Sequence, residues 1–216
     1  MAATIFEKVK GFKTVVWDWN GTIINDCHIA ALAETQLFNK YGIPTQTPEE
    51  RIKNFSFPIE GYYKKMGFDF SKHPYDIIAN EWLRFYEQLI QDAQIFMGMN
   101  DTLNKLKNLA SRQFILSAAP ESHVKEMTLK HSIHGFFDGI YGLANARAES
   151  KINRGHELLR EHSIDPSTTI IVGDTVHDFE VAQALGASAL LIADGHHSYE
   201  TLAQAHHNVL KTRFDK

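Results

Sequence analysis

Cysteine is almost absent: the 216 residues contain one, Cys27. A single thiol excludes an intrachain disulfide and fits a reducing compartment. Nothing beside it in the sequence would hold a thiolate, so it reads as a small helix residue rather than a nucleophile. Long apolar runs are missing too. Val15-Val16-Trp17 and Ala187 to Ala193 are among the longest, far short of the roughly 20 residues that cross a bilayer. There is no excess of positive charge, since 22 Lys and Arg stand against 26 Asp and Glu, a formal charge of -4. That balance attracts neither a polyanion nor an anionic surface, so no nucleic-acid and no membrane partner is expected. The N-terminal stretch lacks the apolar run of a signal peptide, and the expected address is cytoplasmic.

What is present is an ordinary globular composition, 44% apolar and 22% charged, in a chain long enough for one sizeable core plus a smaller module. Short apolar runs alternate with helical patterns, which predicts an α/β fold with a parallel sheet. The expected strands are Lys13 to Asp18, Gln113 to Ser117, Gly139 to Leu143, Thr169 to Gly173 and Ser188 to Ile192. After Thr22, about seventy residues carry only helical signals. Thr47-Pro48-Glu49-Glu50 combines an N-cap, a first-turn proline and a capping-box glutamate. Gly67 can close a short helix begun near Pro58. Ser71 to Ala93 reads as one long helix with Tyr75, Ile78, Trp82, Phe85 and Leu89 on a stripe that packs between helices. The division expected is a doubly wound core from residues 1–24 and 96–216, with an inserted helical cap at 25–95.

Ligands of parallel α/β sheets bind beyond the carboxyl ends of the strands. Val15-Val16-Trp17 delivers Asp18 to that edge, Phe114-Ile115-Leu116 delivers Ser117, and Ile170-Ile171-Val172-Gly173 delivers Asp174. Asp178 follows Asp174 by four residues at a strand-to-helix junction. Clustered carboxylates repel unless a hard cation neutralises them, and Mg²⁺ prefers oxygen ligands. Such an ion also lets an anionic carboxylate approach an anionic phosphoryl group. Ser117 can donate to a phosphoryl oxygen and Lys151 can supply a cation for it.

These segments resemble the haloacid dehalogenase superfamily of phosphatases over essentially the whole chain. Asp18-Trp19-Asn20-Gly21-Thr22 is similar to its first motif, Ser117 to its second, Lys151 to its third, and Gly173-Asp174 with Asp178 to its fourth. Arg147 and Arg154 compete for the position of Lys151. The long helical insertion is similar to the cap of phosphoglycolate phosphatases. The resemblance implies a Mg²⁺-dependent phosphohydrolase of a small phosphorylated metabolite, with Asp18 attacking phosphorus to form an aspartyl-phosphate. It implies that Asp18, Asp174 and the backbone carbonyl of Asn20 ligate Mg²⁺, while Asp178 holds a water beside the metal or orients Asp174. A monomer or homodimer is expected.

One position departs from the pattern. The family usually carries a second aspartate where this chain has Asn20, and an amide neither donates a proton to the leaving oxygen nor accepts one from water. Losing a general acid/base costs on the order of 100- to 10,000-fold in rate. Two other functions therefore stand beside the leading one. One is phosphonatase-type C–P cleavage through a cap lysine (Lys53, Lys64 or Lys65), and the other a low-activity phosphate-binding or regulatory module. The paired histidines, His196-His197 and His206-His207, lack the spacing of helix-borne zinc ligands and read as surface or loop residues; His177 reads as a solvated first-turn residue. The polar cap candidates for substrate contact are Asn25, Asp26, Arg51, Lys53, Asn54, Tyr62, Tyr63, Lys64 and Lys65.

Overall fold

Each apolar run expected to be a strand is one. The computed structural model describes residues 4–144 and 150–213. Its strands are β1 (Thr14–Trp17), β2 (Arg112–Pro120), β3 (Gly139–Leu143), β4 (Thr169–Gly173), β5 (Ser188–Ile192) and β6 (Val209–Leu210). They form a sheet of six in the order β3-β2-β1-β4-β5-β6, every pair parallel. The short β6 was not expected, because two residues carry no periodicity to read.

Both faces of the sheet are covered, and the strand alternation shows how. On β1, Val15 and Trp17 pack with Ile5 and Val9 of α1 (Ile5–Val9), Leu103 and Leu106 of α6 (Met99–Asn108), and Val124 and Met127 of α7 (Glu121–Lys130). Val16 faces the other way, toward Leu158 of α8 (Ile152–Glu161) and Val181 and Leu185 of α9 (Val176–Leu185). This is the doubly wound arrangement. The remaining helix of the sheet layers is α10 (Tyr199–Ala205).

Between β1 and β2 run α2 (Cys27–Tyr41), α3 (Pro48–Asn54), α4 (Ile59–Met66) and α5 (Tyr75–Leu89). The capping box forms as expected: Glu50 N–H donates to Thr47 Oγ1 at 3.2 Å, and Thr47 N–H donates to Glu50 Oε2 at 2.8 Å. Gly67 ends α4 with φ 112°, a conformation that costs a side chain dearly. The long helix is shorter than the pattern suggested. Pro74 disfavours helix at the residue before it, and Asp69 turns the preceding chain by accepting from Ser71 N–H, so α5 begins at Tyr75. It ends at Leu89 in a 3₁₀ turn over Ile90–Asp92. Leu37, Phe38, Tyr62, Tyr63, Phe68, Tyr75, Ile78 and Ala79 form a hydrophobic cluster of their own within this block. The outgoing and returning chains are tied together: Asn25 N–H donates to Gln94 O and Phe96 N–H to Ile23 O, each at 2.9 Å.

Candidate active site

β1 lies between β2 and β4, where the winding of the sheet reverses direction, and such a reversal opens a crevice at the carboxyl edge. Asp18 is the first residue past β1 and extends its pairing through an N–H bond to Val172 O at 2.8 Å. The chain then folds back at once. Trp19 O accepts from the N–H groups of Ile23 and Ile24, with Gly21 in the left-handed region at φ 67°. Asp174 follows β4 directly, and Asp178 sits in the first turn of α9.

Each of Asp18, Asp174 and Asp178 offers a carboxylate oxygen within 4.8 Å of those of the other two, and all three are buried. Asp174 accepts from neutral donors, the Thr22 hydroxyl at 2.9 Å and His196 N–H at 2.6 Å. The second contact brings the backbone so close that a Cβ on Gly195 would lie 2.2 Å from Asp174 Oδ2, so only glycine fits. Asp178 closes a capping box with Thr175, accepting from its N–H at 3.0 Å and its hydroxyl at 2.7 Å. Lys151, at the start of α8, places Nζ 2.5 Å from Asp18 Oδ1, 2.7 Å from Asp178 Oδ1 and 3.0 Å from Leu116 O.

The protonation of the four groups follows from this crowding. Burial, aided by the Asp178 charge, raises Asp18 to about 7, although Lys151 pulls the other way. Burial and the charges of Asp18 and Asp178 drive Asp174 well above the carboxylate range. Burial would raise Asp178 as well, but Lys151 and Thr175 outweigh it and hold that group low. Burial opposes the charge of Lys151, and its two carboxylate partners restore it, leaving the ammonium more basic than usual. Three carboxylates thus share one ammonium, and Asp174 has no cation in contact among the described residues. An all-oxygen donor set with surplus negative charge fits a hard divalent cation.

Ser117 is buried at the same edge, and its hydroxyl accepts from Ala119 N–H at 3.0 Å. Arg154 is engaged elsewhere, pairing with Glu121 at 2.5 Å and with Glu157. Arg147 lies outside the described residues. Asn20 is held by Asp26 and Tyr86: its amide donates to Asp26 Oδ2 at 2.7 Å and to Tyr86 Oη at 2.8 Å. Tyr86 O–H in turn donates to Asp26 Oδ2 at 2.6 Å, and Gly21 N–H to Asp26 Oδ1 at 2.8 Å.

A family model of haloacid dehalogenase-like hydrolases matches residues 15–192. The chain belongs to that family. One curated relative of this hydrolase is a phosphoglycolate phosphatase from Aliivibrio fischeri, 24% identical over 57% of this chain and 55% of that protein. Across that match the chain spans about half of the relative's length. A phosphoglycolate phosphatase from Vibrio vulnificus is 19% identical over 88% of each chain. Among solved structures, a haloacid dehalogenase-like hydrolase from Streptococcus pneumoniae has the same fold, with a TM-score of 0.79 and 24% identity over 92% of this chain and 93% of that one.

Asp18 and Asp178 of this hydrolase line a cavity of about 110 Å³. Its walls are largely apolar, with Phe55, Phe57, Trp82 and Tyr86 among them. Of the polar cap candidates, Asp26, Arg51 and Tyr63 line it; Lys53, Lys64 and Lys65 are exposed and do not. Arg51 is buried, donating from Nε to Glu34 Oε2 at 2.7 Å and lying 3.2 Å from His196 Nδ1.

The histidine expectations need correction. His177, His196 and His197 are buried, because rings from the helical block cover them. Phe57 stacks on His177 at 4.8 Å, and Phe55 stacks on His196 at 5.1 Å. His197 Nδ1 accepts from Val176 N–H, which leaves its Nε2–H to donate to Phe55 O at 3.2 Å. Sequence reasoning also passed over Arg213, whose buried guanidinium bonds the carbonyls of Gly21 and Thr22 and lies over the Phe96 ring. No motif marks it; it lies 191 residues from Thr22.

Proposed function

We propose that this hydrolase is a Mg²⁺-dependent phosphatase of a small phosphorylated metabolite, working through an aspartyl-phosphate on Asp18. The observation that carries this reading is Asp18 itself: a strand-end carboxylate 2.5 Å from an ammonium and within 4.8 Å of two further carboxylates. The phosphatase name shared by both curated relatives supports it.

In the reaction proposed, an Asp18 oxygen bonds to phosphorus as the ester P–O bond breaks and its electron pair leaves with the alcohol oxygen. Water then attacks the same phosphorus, frees inorganic phosphate and restores the carboxylate. Lys151, already beside Asp18, neutralises a phosphoryl oxygen, and Ser117 O–H donates to another. The ion would be held by Asp18, Asp174 and the carbonyl of Asn20, with Asp178 behind them, and would offset the charge between nucleophile and phosphoryl group. Residues 25–95 act as the cap, with 1–24 and 96–216 as the core; the block's own hydrophobic cluster and its paired crossing strands support that division.

Sodium borohydride added during turnover of an aryl phosphate tests the intermediate. Reduction of an acyl-phosphate at Asp18 yields homoserine at position 18, read by peptide mass spectrometry. Turnover with an unmodified Asp18 under trapping conditions that capture a reference acyl-phosphate would remove the covalent step. Phosphonatase chemistry is disfavoured because none of its three candidate lysines lines the cavity. A slow or binding role has one observation in its favour, the Asn20 amide locked onto Asp26.

A further inference from the structure

We infer that the group esterified to phosphate is an aromatic, uncharged alcohol, so that the preferred substrate is an aryl or arylmethyl phosphate rather than a phosphorylated carboxylic acid. The inference rests on the phosphatase reading above and names its substrate class.

Rings from the helical block contribute to the cavity's apolar lining. Phe55 and Phe57 come from the end of α3 and the loop after it, and Trp82 and Tyr86 from α5. Trp82 and Tyr86 stack on each other at 4.9 Å with an interplanar angle of 17°. Apolar surface of this kind gains from covering an aromatic ring and gains nothing from a small hydrated acid.

Charge points the same way. Among the described residues lining the cavity, the cationic side chains are Lys151 and Arg51. Lys151 is engaged by Asp18 and Asp178, and Arg51 by Glu34. Asp26 and Glu34 also line the space, so a carboxylate on the substrate would meet two buried carboxylates and no unpaired cation among these residues. Neutral contacts are available instead. Trp82 Nε1 and His123 Nε2 are buried without hydrogen-bond partners, and both residues line the cavity. A hydroxyl or carbonyl on the ring would satisfy them.

Asn20 adds an independent argument. Its amide supplies no proton to the departing oxygen, and a phenol-type oxygen leaves without one far more readily than an alkoxide.

The test separates wall chemistry from leaving-group chemistry by using esters of primary alcohols: benzyl phosphate, 2-phosphoglycolate and ethyl phosphate. With Mg²⁺ present, kcat/KM for benzyl phosphate is expected to exceed both others by at least about tenfold, the effect of burying one ring. Phe57→Ala should shrink the benzyl-to-ethyl ratio. Calorimetric binding of benzylphosphonate against 3-phosphonopropionate, on the wild-type protein, needs no turnover and should show the same order. A preference for the carboxylate-bearing member of either set overturns the inference, as does an equal response to all. If no ester is hydrolysed but benzylphosphonate still binds preferentially, the phosphatase reading fails and the ligand class stands.

Discussion

Asn20, half-buried, makes one hydrogen-bonded unit with the buried Asp26 and Tyr86, and its polarity decides what a substitution does. The amide donates and the Asp26 carboxylate accepts, with Tyr86 and Gly21 filling the remaining acceptor positions. Replacing Asn20 by aspartate sets one carboxylate against another where no cation is in contact, and one of the two must keep a proton. Asn20→Asp is therefore expected to lose about 1–3 kcal/mol at neutral pH, measured by denaturant unfolding. The like-charge pair ionises as pH rises through its elevated range, so the loss should fade as pH falls toward ordinary carboxylate values. Adding Asp26→Asn reverses the donor and acceptor and should restore stability. In that double variant the carboxyl group at position 20, in its protonated form, can give a proton to the leaving oxygen, so the dependence of kcat/KM on leaving-group pKa should flatten. Parallel slopes for it and the wild type would mean that another group already supplies the proton. Asp18 gives a second expectation. Burial raises it to about 7, and a cation requires the ionised form. Apparent Mg²⁺ affinity should climb with pH through that range, and further as Asp174 ionises, read by calorimetry. A flat profile between pH ~5.5 and ~7 would contradict the raised pKa.

Between elements, the joint of α2 with α3 rests on Glu34 and Arg51, both buried. Their attraction offsets the desolvation of two charges only while both remain. Arg51→Met should cost about 3–5 kcal/mol by stranding Glu34. Glu34→Leu on the same background should recover most of that loss, because an apolar pair of similar volume needs no compensation. Strictly additive effects of the two substitutions would show that the pair does not couple. The same guanidinium lies over the Phe55 ring at 4.8 Å, so the joint also sets one wall of the cavity.

Across the whole molecule, the helical block meets the sheet layers along a seam of rings and histidines. Phe55 and Phe57 cover His196 and His177, and His197 bonds back to Phe55 O. Burial, reinforced by Arg51, lowers His196 well below 6.5; burial lowers His197 too. At these two histidines the folded protein thus binds fewer protons than the unfolded chain in mild acid. Their contribution to stability is fully present above about 6.5 and lost as pH falls below it, since the unfolded state takes up the protons. This loss should appear in the midpoint of urea unfolding between pH ~7.5 and ~5, where it opposes the raised carboxylates, and a His196→Asn, His197→Asn double variant should lack it. An identical acid response would remove the seam as its cause.

Much of this hydrolase was legible without coordinates. Asp18, Asp174 and Asp178 were traceable because a strand's end and the first turn of the next helix are local events, written in a few consecutive residues. The capping box at Thr47 and the stop at Gly67 are local in the same way. Other features depend on which distant segments meet. Asn20 finds Tyr86 across 66 residues, Arg51 finds His196 across 145, and Arg213 finds Thr22 across 191. The burial of His177, His196 and His197 belongs to that class, since what covers two of them is a pair of phenylalanines from a block more than a hundred residues away. Periodicity records which face of an element is apolar. It carries no record of the partner that face will meet, and only the packed chain brings a ring or a guanidinium to a given polar atom.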